Sequence, residues 1–124
     1  MKRPPIRRKR WRTSLGTPEQ RLVFRLGVLT QDGFDCVMHG QSDCTFDLQA
    51  AHIIPKRTLR DLGFGADVIY SVDAAMTLCE RHHNRHDRGL ERVPWDRLPD
   101  RCKEFVSRLG LQTLLERTYE EVRP

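Results

Sequence analysis

Apolar residues change period along the chain. After Thr17, Leu22, Leu26 and Leu29 recur at i, i+4 and i+7, with Val23 beside them, the spacing of one helical face. Thr17-Pro18-Glu19-Gln20 supplies the start: Thr17 as N-cap, Pro18 at the first helical position, Gln20 at the capping-box position. Gln31-Asp32-Gly33 is turn chemistry and predicts an end near Thr30. Residues 45–54 (TFDLQAAHII) predict a short strand that Pro55 closes. RTLRDLGFG predicts a helical turn that Gly63 and Gly65 end. Residues 74–79 (AAMTLC) predict a second strand, and ERHHNRHD a short helix stopping at Gly89. The helical period returns from Leu98. Pro99-Asp100 opens this helix, Phe105, Val106 and Leu109 share a face, and Gly110 breaks it. Leu111, Leu114, Leu115, Tyr119 and Val122 form another stripe. These C-terminal stripes predict packing on the domain, on a second copy as a homodimer, or on a protein partner. The fold class is α+β.

A chain of 124 residues makes one small domain with arms, whose modest core a structural metal would help. No apolar run approaches membrane-spanning length, and no apolar stretch follows the basic N-terminus, so neither a membrane span nor a secretory signal is expected. An intracellular, cytoplasmic location follows as the expectation. The net charge of +5 is uneven: residues 1–12 hold seven Lys or Arg and no acid. A basic, flexible arm over residues 1–16, extended at Pro4-Pro5, predicts a polyanion partner. Arg7, Arg8, Lys9, Arg10 and Arg12 are its candidate nucleic-acid contacts, and such contacts weaken with salt. Arg57 and Arg85, near the histidines, join them as candidates.

All five histidines lie between positions 39 and 86. Cys36-Val37-Met38-His39-Gly40 and Cys79-Glu80-Arg81-His82 each place two ligand types with two residues between them, the spacing that lets one turn aim both at an ion. Together they predict a Cys2His2 structural zinc site. Cys44 is an alternative to His39, and Cys102 is expected in the core. The plainer alternative is buried thiols with polar histidine neighbours. His52 sits on the first predicted strand, where a lone histidine is usually a hydrogen-bonded core residue. His83 and His86, three apart, are expected to share a helix face opposite it, as a second metal or catalytic site.

The segments CVMHG, LQAAHIIPKR and MTLCERHHNRH, spanning residues 36–87, resemble the HNH endonuclease family, the ββα-metal nucleases, of the small free-standing phage or bacterial type. The resemblance implies a ββα-metal motif with structural zinc, flanked by N- and C-terminal helices: a nuclease domain over residues 17–97 and C-terminal helices over 98–124. It implies His52 as the general base on water. His83 would hold a catalytic divalent ion (Mg²⁺, Mn²⁺, Ni²⁺ or Zn²⁺), with His86 a second ligand or a phosphate contact. The reaction would be hydrolysis of DNA phosphodiesters, by nicking or double-strand cleavage, leaving a 5′-phosphate and a 3′-hydroxyl. A phage-encoded member would work in the host cytoplasm. The chain departs from the family pattern at Ala51, where an acid or histidine usually precedes the base, and at Ala74, where an Asn usually stands; Asp73 is adjacent. Two other readings stay open: a zinc-stabilised nucleic-acid-binding module with weakened or no catalysis, and an adaptor that docks a protein through its C-terminal helices.

Overall fold

The computed structural model describes residues 16–39 and 44–119. The arm candidates Arg7, Arg8, Lys9, Arg10 and Arg12, and Val122, lie outside the described residues. Among those described, six α-helices surround one two-stranded antiparallel sheet, an α+β fold. No helix among them is long and apolar enough to cross a membrane.

Helix α1 spans Pro18–Gln31. It starts where the sequence predicts, with the Thr17 hydroxyl accepting from the Gln20 amide at 3.0 Å. Gly33 (φ 68°) and Phe34 (φ 59°) turn the chain away, and the Phe34 amide donates back to the Leu29 carbonyl at 2.8 Å. The face differs from expectation. Phe24, Val28 and Leu29 are buried, whereas Leu22, Val23 and Leu26 are exposed. The helix carries two overlapping apolar stripes, and the one bearing the aromatic ring packs against Ala75 of the sheet.

Strand β1 (Leu48–His52) pairs with β2 (Ala75–Cys79), with His52 opposite Ala75 and Leu48 opposite Cys79. Both fall inside the predicted spans but are shorter. Strand alternation separates the faces. Ala50 and Ala75 meet α1. Ala51, Met76 and Leu78 face the main core, which Cys102, Val106, Leu115 and Tyr119 complete. The connection between the strands holds α2 (Lys56–Asp61), α3 (Ala66–Ile69) and a 3-10 turn, Val72–Ala74. Helix α4 (Glu80–Asp87) continues directly from β2, and Gly89 (φ 71°) follows its end. Helices α5 (Asp100–Arg108) and α6 (Gln112–Thr118) are separated by Gly110.

One part-buried cation staples these layers. Arg101 of α5 pairs with Asp32 at 2.9 Å and Asp73 at 3.5 Å, and donates to the carbonyls of Val72 and Ala75. Asp32 in turn accepts from the Thr77 amide at 2.8 Å. Thus α5, the end of α1, the 3-10 turn and β2 share one charge network. Removing one partner of such a network leaves the other charge buried and uncompensated. Arg101→Leu should therefore lower the unfolding free energy by about 3 kcal/mol, read as a lower urea midpoint at an unchanged slope. An unchanged midpoint would mean that solvent already satisfies Asp32.

Candidate metal centre and cationic cleft

Cys79 ends β2 and caps α4. Its Sγ accepts from the His82 amide at 3.5 Å and lies 3.1 Å from His82 Nδ1. Cys36 Sγ lies 3.7 Å from the same nitrogen and Cys44 Sγ 3.5 Å. The four candidate ligand atoms of Cys36, Cys44, Cys79 and His82 all fall within 4.8 Å of one another. A tetrahedral ion with metal–sulfur and metal–nitrogen bonds of about 2.3 and 2.1 Å places such atoms about 3.6 Å apart. This cluster can hold a metal ion.

Cys44 occupies the place that the sequence reading gave to His39. The turn at residues 36–39 closes by the His39 amide donating to the Cys36 carbonyl at 2.8 Å, and Arg97 holds the carbonyls of Val37 and His39. That turn buries Met38 and leaves His39 exposed. Electrostatics explain why a cation belongs among these thiols. Burial pushes the Cys79 thiol up, but hydrogen bonds from the His82 and Thr45 backbones outweigh this and bring it down to about 6. Burial, and then repulsion from the neighbouring Cys36 thiolate, push Cys44 up to about 12. Cys36 is raised as well, first by burial. Without a cation the cluster accommodates one thiolate readily; a divalent ion would stabilise all three.

A cleft of about 610 Å³ opens on the other side of α4, between α1 and the β1 edge. His52, at the end of β1, contributes one wall. Its Nε2 lies 2.6 Å from the Ile69 carbonyl oxygen. A carbonyl only accepts, so Nε2 carries the proton and Nδ1 keeps its lone pair. Phe24 stacks on the ring at 5.2 Å and 25°, and Tyr70 meets it edge-on. Burial pushes the His52 pKa below its ordinary value, and the charges of Lys56 and His83 add to this against the Ile69 hydrogen bond. The imidazole is therefore a neutral base at neutral pH.

His83 faces the same cleft from α4. Its Nδ1 lies 2.6 Å from Gln49 Oε1, and the Gln49 amide nitrogen donates to Asp47 at 3.2 Å, which turns the oxygen toward the ring. Nδ1 is then the donor, and Nε2 presents a lone pair to the Asp87 carboxylate 3.2 Å away. Two electron-rich atoms this close call for a proton or a cation between them. His86 lines the same cleft but is only 4% exposed, its ring stacked on Tyr119. Burial, then Arg92, push its pKa to about 4. At about 100° per residue, His86 at i+3 from His83 sits deep in the cleft wall and Asp87 at i+4 sits exposed at its mouth. Asp87, which the residue pattern did not single out, joins them in the cleft; its i+4 spacing from His83 was the available signal.

Residues 36–90 match the family model of the HNH endonucleases, a little under half the chain. Over this segment the chain is similar to the HNH endonuclease family. No curated protein and no solved structure matches the chain. The HNH family implies a nuclease, a metal site and a nucleic-acid substrate. The two departures of this HNH segment from the usual pattern are core residues: Ala51 is fully buried and Ala74 is 2% exposed. Asp73 is held by Arg101 and does not line the cleft. Arg85 is paired with Glu91 at 3.2 Å, and Arg57 is exposed on α2. The described cations that do line the cleft are Arg21, Arg25, Lys56 and Arg92, with Asp87 the one acid among its lining residues. Arg21 and Arg25 come from α1, before the matched segment, where sequence pattern alone assigns them only to a helix.

Metal analysis separates the two ligand sets. Cys44→Ser should purify with less than half the metal content of wild type, whereas His39→Ala should keep it, measured by elemental analysis after dialysis. Full retention in Cys44→Ser with loss in His39→Ala would restore the Cys2His2 assignment.

Proposed function

We propose that the protein is a metal-dependent DNA endonuclease that hydrolyses phosphodiester bonds. The observation that carries this reading is one cationic cleft faced by a neutral His52 with a free Nδ1 and by the converging His83 Nε2 and Asp87 carboxylate. His52 Nδ1 takes a proton from the attacking water, and the resulting hydroxide adds to phosphorus in line with the departing 3′ oxygen. That oxygen leaves with a proton from solvent, giving a 5′-phosphate and a 3′-hydroxyl. His83 and Asp87 are the residues that would hold the divalent ion, a nitrogen and an oxygen ligand with the remaining positions open. Such an ion supplies charge stabilisation to the phosphate and the leaving oxygen. Arg21, Arg25, Lys56 and Arg92 receive neighbouring phosphates, while burial, aided by Lys56, keeps His52 unprotonated.

Zinc fits the Cys36, Cys44, Cys79 and His82 set by ligand softness and spacing. In this reading it is structural, within a nuclease domain over residues 17–97 that the helices after residue 98 complete. The basic arm at residues 1–16 adds salt-sensitive affinity for DNA. Ala51 and Ala74, which offer no ligand oxygen, favour one other reading, a zinc-stabilised nucleic-acid-binding module without catalysis.

Nicking of supercoiled plasmid across Mg²⁺, Mn²⁺, Ni²⁺, Co²⁺ and Zn²⁺ tests the choice. Cleavage should require an added ion and fall about 10²–10⁴-fold in His52→Ala, the usual contribution of a general base. Retention of plasmid without cleavage under every ion would support the binding module. The pH profile carries a second expectation. Because burial holds the His52 pKa below 6.5, kcat/KM should rise with pH only below that value and stay level through neutrality. A midpoint above 7 would remove His52 from the role.

A further inference from the structure

The last described side chain of the fold enters the cleft's foundations. Tyr119 follows α6, far in sequence from the segment that matches the HNH family, yet it is fully buried. Its hydroxyl donates to the Ile53 carbonyl at 2.7 Å. Ile53 directly follows His52, and its own amide donates to the Ala74 carbonyl at 3.0 Å, so the peptide beyond the strand end is held from both sides. The Tyr119 ring also lies over His86, with centroids 5.9 Å apart and 17° between planes. His86 is on α4, one turn from His83 and next to Asp87. One side chain therefore touches both the end of the strand that carries His52 and the helix that carries His83 and Asp87. The hydroxyl's proton is committed to Ile53, so toward His86 Nε2, 3.5 Å away, its oxygen can only accept.

We infer that Tyr119 is a positioning residue that sets the separation between His52 and the His83–Asp87 pair, making the C-terminal helix part of the catalytic unit. This rests on the endonuclease reading. A hydroxyl bridge to a main-chain carbonyl is directional, whereas the ring stack is not. Tyr119→Phe should thus keep the packing and lose the alignment. Misplacement of reacting groups by an ångström is enough to slow a step about 100-fold.

Tyr119→Phe should keep the far-ultraviolet circular dichroism spectrum and the metal content of wild type. Its kcat for plasmid nicking should fall at least tenfold with KM unchanged. Its ¹⁵N-labelled imidazole signals from both His52 and His86 should shift, while that of exposed His39 stays. Wild-type kcat, or a change confined to KM, would overturn the inference. If the wild type itself does not nick, the endonuclease reading fails separately. The imidazole signals then decide: shifts at both His52 and His86 sustain the bridge, and unshifted signals overturn it.

Discussion

Cys79 is the point on which the rest of the structure depends. It ends β2, caps α4 and supplies one corner of the metal cluster. Because one residue does all three, the ion-binding geometry dictates the angle at which α4 leaves the sheet. That angle decides where His83 and Asp87 meet the end of β1. A sheet of two five-residue strands is too small to specify such an angle by its own ladder. The thiols bring this constraint at a cost that only a cation offsets, since burial and mutual repulsion oppose ionising all three. An ion held by this cluster would therefore couple its binding to folding.

Opposite design rules govern the two ends of α4. At its N-terminus, Cys36, Cys79 and His82 are buried with the exposed Cys44 beside them, away from the cleft. Toward its C-terminus, His83 and Asp87 stand at the edge of a cleft lined by cations from α1 and from the segments around β1 and α4. The positive lining favours phosphate, while burial, with a smaller contribution from Lys56, disfavours protonation of His52. Phe24 stacking and the Ile69 carbonyl then fix the ring's orientation and tautomer. The flanking helices are thus more than a wrapping: α1 supplies Phe24, Arg21 and Arg25, while α5 and α6 supply the Arg101 staple and the tyrosine beneath the cleft.

Local chemistry was legible in the sequence. The Thr17 cap, the two strands, the helix that follows Cys79 and the turn at Gly89 each rest on neighbours within a few residues. Cys36, Cys79 and His82 were equally visible, because ligand pairs leave a spacing; the three meet as expected. His39 misled for the same reason: it has the right spacing, but a turn that buries Met38 carries its ring outward, and Cys44 reaches the cluster through tertiary structure. The α1 face was ambiguous because two stripes overlap on one helix. His86 and Asp87 flank the same direction, and only the packing of Tyr119 decides which enters the core. Arg101 and Tyr119 act across long stretches of chain and leave no local signature.

In the proposed function, α4 separates two metal roles: a sulfur-rich site that holds the fold and an open site that serves the cleft. Titration of the zinc-loaded protein with Mn²⁺, followed by electron paramagnetic resonance, tests it most directly. Wild type should show one Mn²⁺ site that is lost in both His83→Ala and Asp87→Asn, with the zinc content and the fold unchanged. Mn²⁺ binding that survives both substitutions, or that disappears only together with the zinc, would contradict it.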